Sequence, residues 1–191
     1  MDYKVSNLQL ERKEVNEMQK KERLGLEKYN NQGSLMKIIE YNETRNIRVM
    51  FLDDYKYIKS TSWCDFEKGG INNPYFITVY GVARKGAKYP AKVNGKTTKE
   101  YDAWTGMLRR CYDEQWKIKQ PAYEGVTCCD EWLLYENFYE WLHSQENFDK
   151  WLNGTRWVVD KDIIHKGNKI YSPENCCLVS HDVNTLFTKR D

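Results

Sequence analysis

One stretch near the C-terminal end constrains the fold most, because its residues alternate between strand and turn signals in a fixed order. Trp157, Val158 and Val159 form an apolar, β-rich run that leads into Asp160 and Asp162. Lys166-Gly167-Asn168 reads as a turn, since Gly and Asn tolerate positive φ. Ile170 and Tyr171 resume an extended run, Pro173 interrupts it, and Cys177 to Val179 read as a short return strand. Ser180 is placed to cap a last helix carrying Val183, Asn184, Leu186 and Phe187. Strand, loop, strand and helix put Asp160 at a strand end and Asn184 inside a helix. Their hard oxygen atoms are the type that converges on a divalent cation.

The same residues carry a resemblance. Asp160-Lys161-Asp162-Ile163, Gly167-Asn168 and Tyr171-Ser172-Pro173-Glu174-Asn175-Cys176 resemble the signature of phage-encoded HNH-type homing endonucleases. Tyr101-Asp102-Ala103-Trp104, Met107, Arg109-Arg110-Cys111-Tyr112, Cys129-Asp130-Glu131-Trp132 and Asn137-Phe138 are similar to the same group. The resemblance implies a ββα-metal site. Asp160 would be the first metal ligand, Asn175 the brace of the loop and Asn184 the ligand on the helix, with Mg or Mn as the metal. The family's general-base histidine follows the first ligand; here that position is Lys161. A general base must accept a proton near neutral pH, so Lys161 would need a large downward pKa shift. His165 in the loop is an alternative base, and His181 at the helix start an alternative metal ligand.

Composition bounds the partners. The chain of 191 residues has 40% hydrophobic and 30% charged residues, enough for one domain or two small ones. With 14 Tyr and 7 Trp, its core is expected to be built from rings. A formal net charge of +2 is too small for binding nucleic acid by bulk charge, so DNA contact requires local patches. Candidates are Arg84, Lys85, Lys88, Lys92 and Lys96, where basic residues gather without an acid, with Arg109, Arg110, Lys166 and Lys169. No leader or membrane-spanning run is read, so the expected location is the cytoplasm, that of a bacterial host if the protein is phage-encoded. The six cysteines include adjacent pairs, a spacing unlike that of a structural zinc site; buried thiols are the expectation and zinc the alternative.

Four segments follow in order: an N-terminal helix (1–30), a small antiparallel β-module (31–78), a basic connector (79–97) and an HNH-like α+β region (98–191). The helix is expected from Ser6, which forms a capping box with Gln9, to about Lys28. The turn cluster Asn30 to Ser34 marks its boundary. Runs at 35–41, 47–51 and 55–61 predict a three-stranded meander, with a helical turn at Trp63–Lys68 closed by Gly69-Gly70. This module is similar to one that accompanies HNH-like regions in phage proteins. The connector reads as flexible and laid along DNA, with a hairpin turn at Asn94-Gly95. Thr97 and Glu100 predict a capped helix to Tyr112 that buries Tyr101, Trp104, Met107, Leu108 and Cys111. Asp113 to Thr127 reads as a polar connection, and Asp130 or a close neighbour as the cap of a helix through Leu142.

The expected fold is therefore α+β, a small antiparallel β-module followed by an α-rich region ending in a ββα-metal-like hairpin and helix. Two functions are open. One is an HNH-like DNA-binding protein, a metal-dependent endonuclease if active. The other is an inactive relative that regulates DNA or inhibits a host defence complex, with Asp130, Glu131, Glu136 and Glu140 offering an acidic face to a protein partner.

Overall fold

The computed structural model describes residues 2–154 and 156–188 and has an α+β fold. It divides into two compact units, Met1–Phe76 and Ile77–Asp191.

In the first unit, α1 (Asp2–Arg23) precedes a four-stranded antiparallel sheet of β1 (Glu27–Tyr29), β2 (Leu35–Glu43), β3 (Asn46–Phe51) and β4 (Ile58–Thr61), in that spatial order. The helix is already formed at Asp2, so Ser6 is not its cap, and it ends at Arg23 rather than near Lys28. Gly25, at φ 86°, turns the chain out of the helix. Its N–H then bonds Ile38 O, and Ile38 N bonds Leu26 O, which recruits Glu27–Tyr29 as a fourth strand. Asn30 to Ser34 is thus a hairpin connection inside the sheet. Asn30 is buried there: its Oδ1 accepts the N–H groups of Gln32 and Ser34, and its Nδ2 donates to Ile71 O at 2.8 Å.

Alternation along the central strands buries Met36, Ile38 and Tyr41 from β2 and Ile47, Val49 and Phe51 from β3. The helical turn α2 (Trp63–Glu67) is capped by Ser62, whose hydroxyl accepts the Asp65 N–H, and it adds Phe66 to this core.

The second unit opens on the connector, which is packed rather than flexible. Val79 bridges to Ala83, and Arg84 to Leu134. The Glu136 carboxylate accepts the backbone N–H groups of Ala87 and Lys88, both at 2.6 Å. Gly86, at φ 78°, is needed just before them, because a Cβ there would collide with that carboxylate. The strap ends in a hairpin of β5 (Lys92–Val93) and β6 (Lys96–Thr97), with Asn94 and Gly95 both at positive φ as that dipeptide predicts.

Thr97 is used by this hairpin, so the cap of α3 (Lys99–Tyr112) falls one residue later, on Thr98, which accepts the Tyr101 N–H. α3 buries Trp104, Met107, Leu108 and Cys111, as its periodicity requires. The connection after it contains an unanticipated helix, α4 (Glu114–Lys119), capped by Asp113. Then comes β7 (Thr127–Cys128). Asp130 does not cap a long helix. It begins a 3-10 turn to Leu133, and α5 (Tyr135–His143) starts afterwards with no side-chain cap. The strap substitutes, since Tyr135 N donates to Arg84 O. Tyr135, Phe138 and Leu142 of α5 and Trp151 of α6 (Phe148–Asn153) share one aromatic core with α3.

The last elements follow the expected order. β8 (Trp157–Asp160) pairs antiparallel with β10 (Cys177–Ser180), Asp160 lying opposite Cys177. Between them β9 (Ile170–Tyr171) leaves this ribbon and pairs in parallel with β7. α7 (His181–Thr188) follows at once, with Ser180 Oγ accepting the Val183 N–H at 3.3 Å.

Candidate functional site

The loop from Asp160 to Ile170 is closed by its own polar groups. Asp160, 9% exposed, accepts at Oδ1 the N–H groups of Asp162 (2.8 Å) and Ile163 (2.9 Å), which turns the chain off β8. Gly167, at φ 77°, makes the return. Asn168 then ties the two ends: its Nδ2 donates to Lys161 O (3.0 Å) and Ile170 O (2.7 Å), and its Oδ1 accepts Ile170 N–H (3.1 Å). Asn175, the brace implied by the resemblance, makes only a long bond of 3.4 Å to the same Ile170 carbonyl. Asn168 is the stronger brace. Its Gly-Asn turn was legible, but the reach of its side chain was not.

Lys161 is buried, and its ammonium is held by two acceptors. Its ammonium donates to Asp162 Oδ2 at 2.6 Å and to Asn168 O at 2.7 Å. His165 is exposed at the outer turn of the loop, where its carbonyl accepts Asn168 N–H. His181 is exposed at the start of α7, its Nδ1 3.2 Å from Thr185 Oγ1.

A cleft of about 550 Å³ opens beside this loop. Asp160, Lys161 and Asp162 line it with Asn184 of α7 and with Asp102, Arg109 and Arg110 of α3; neither histidine is among its lining residues. Arg110 Nε donates to the Tyr171 hydroxyl at 2.9 Å, and the Arg109 guanidinium stacks over Trp116 at 4.2 Å. Burial holds the Tyr171 phenol well above its ordinary pKa, so it remains a neutral acceptor for Arg110. Lys99 also lines the cleft, but its ammonium caps the end of α6, donating to the carbonyls of Trp151, Leu152 and Gly154.

The remaining basic candidates lie away from the cleft lining. Lys88 is ion-paired with Glu140 at 2.5 Å, which together with Tyr89 raises its pKa. Lys169 donates to Ala122 O. Lys92 and Lys96 are exposed on the small hairpin, Lys166 is exposed on the loop, and Arg84 and Lys85 are half-buried in the strap. Glu136 and Glu140, read as part of an acidic face, are both engaged by the strap.

The donor set suits a divalent metal poorly. Asp160 and Asn184 do share the cleft, but one oxygen of Asp160 is committed to the loop, and Lys161, ion-paired with Asp162, lines it too. Among the described residues no three His, Cys, Asp or Glu side chains gather into a metal-holding group.

The cysteines are thiols. Burial pushes Cys111 and Cys176 up to about 12, whereas Cys129, half-exposed and hydrogen-bonded by the Cys128 thiol, is lowered to about 7. Cys129 is therefore expected to alkylate before Cys111, Cys128 and Cys176 in the folded protein, its rate rising as pH passes about 7. Peptide mapping after brief iodoacetamide treatment checks this; earlier labelling of Cys128 or Cys176 would contradict it.

Asn168→Ala is expected to remove three side-chain bonds and destabilise the loop by about 2–4 kcal/mol, at roughly 1 kcal/mol for each bond plus a stranded acceptor. Hydrogen exchange at Ile170 should then accelerate by at least tenfold while α3 amides keep their protection. Unchanged exchange at Ile170 would remove Asn168 from this role.

Comparison with protein-family models, with curated proteins and with solved structures found no match for the chain.

Proposed function

We propose that the Ile77–Asp191 unit is an HNH-like DNA-binding module that holds a phosphodiester backbone in the cleft without hydrolysing it. One observation carries this reading: Arg109 and Arg110 of α3 line the same cleft as the turn at the end of β8 and Asn184 of α7. Arg presents a planar fork of donors that matches phosphate oxygens, and here each guanidinium is steadied by an aromatic partner.

In the pattern that the resemblance implies, hydrolysis would need a general base at or near the position after Asp160, able to take a proton from water. Lys161 acts as a donor to two acceptors, and His165 and His181 lie outside the cleft lining. The reading therefore favours an inactive relative of the nucleases.

The test pairs binding with cleavage. The purified protein should retain duplex DNA with an affinity that falls steeply with salt, since each neutralised phosphate contributes a slope of about −0.9 in log K against log salt. Supercoiled plasmid should stay intact with magnesium or manganese. Nicking by wild type that Asp160→Ala abolishes would replace this reading with a metal-dependent nuclease, and failure to bind DNA would overturn it outright.

A further inference from the structure

Lys161 occupies the position after Asp160, and its place in the cleft gives that substitution a chemical meaning. An ammonium group has three N–H donors. Two are spent, on Asp162 Oδ2 at 2.6 Å and Asn168 O at 2.7 Å. The side chain is only 8% exposed, so its stem cannot wander, yet the residue lines the cleft. The ammonium also lies 5.9 Å from the centroid of the Tyr171 ring, and one N–H is not committed to a hydrogen bond. The Asp162 carboxylate that pairs with it is 42% exposed, so solvent weakens its hold on the charge.

The groups around it agree with that assignment. Asp160 Oδ1 already accepts two N–H groups of its own loop, so part of its capacity to bind a cation is used internally. A divalent ion entering beside Lys161 would meet a like charge that the fold holds in place. An anion meets Lys161, Arg109 and Arg110 in the cleft lining, beside the carboxylates of Asp102, Asp160 and Asp162.

We propose that the Lys161 ammonium is a built-in cation that takes a phosphodiester oxygen in the cleft, so that the site binds its backbone ligand without a divalent metal. The proposal rests on the DNA-binding reading above, and the two can fail separately.

Fluorescence anisotropy with a labelled DNA duplex tests it, in EDTA and in magnesium at matched ionic strength. Wild-type affinity should agree within about twofold between the two buffers, and Lys161→Met should weaken it about tenfold, the loss of one charged hydrogen bond to phosphate. Lys161→Arg, which keeps a cation at the site, should retain most of the affinity. A tenfold loss of wild-type affinity in EDTA overturns the proposal, as does a Lys161→Met protein that binds like wild type. Should circular dichroism show that Lys161→Met is unfolded, lysine-labelled wild type decides the matter by NMR. The Lys161 ammonium signal, assigned by its disappearance in Lys161→Arg, should shift when duplex is added in EDTA; an unmoved signal overturns the assignment. A wild type that binds no duplex in either buffer overturns the DNA reading itself, whereas binding lost only in EDTA overturns the lysine alone.

Discussion

Trp104→Ala is expected to destabilise the Ile77–Asp191 unit by about 4–5 kcal/mol, near the top of the range for removing a buried Trp. The side chain is fully buried at the centre of the aromatic core, packed against Tyr101 and Tyr135 with ring centroids 5.4 and 5.3 Å away. It also makes a polar contact, its Nε1 donating to Trp132 O at 2.7 Å in the turn that precedes α5. Alanine leaves a cavity and strands that carbonyl. Domains of this size are stable by about 5–15 kcal/mol, so the variant should be largely unfolded at growth temperature or close to it. Trp104→Phe separates the two terms. It keeps most of the ring volume and loses the N–H, and should cost about 1–3 kcal/mol, the penalty for a stranded buried acceptor. Urea denaturation followed by circular dichroism checks both. A loss below 1 kcal/mol for alanine would mean that α3 and the Trp132 turn are not one packed body.

The residues of that core were legible because a helix is local: four of the five apolar positions read at helical spacing in α3 are fully buried, and Tyr101 packs partly buried against them. The ββα order was legible for a similar reason, since Gly167, Pro173 and Ser180 punctuate it in sequence. What escaped depends on partners distant in the chain. Glu27–Tyr29 has only three exposed residues and is a strand solely because β2 lies beside it. The strap looked flexible because Gly86 and its basic neighbours carry turn and linker chemistry. It is ordered by Glu136, nearly fifty positions away. The same limit applied to the cleft. Asp160 and Asn184 could be paired from sequence, but nothing local showed that Lys161 would be pinned as a donor, that His165 would face outward, or that Asn168 would close the loop.

Arg109→Ala with Arg110→Ala should weaken DNA binding by about a hundredfold at low salt, at roughly tenfold for each charge-assisted contact with a phosphate. The slope of log affinity against log salt should fall by about two, because two fewer phosphates are neutralised. The slope is the sharper readout, since a variant that merely loosens the fold loses affinity without changing the number of counterions released. Arg110 needs a control of its own: removing it also takes the donor from the Tyr171 hydroxyl, which is buried beside β7. Tyr171→Phe breaks the same bond while leaving the guanidinium charge, so it should preserve most of the slope. Arg110→Lys keeps the charge but not the planar fork, and should fall between wild type and alanine. Lys92→Ala with Lys96→Ala supplies the comparison at equal charge change, because both lie on the exposed hairpin outside the cleft lining. If that pair lowers the slope by as much as the arginine pair, binding follows overall charge rather than the cleft, and the site loses its claim to the DNA backbone. If the arginine pair alone does so, the phosphate contacts belong to α3 and to the cleft it lines.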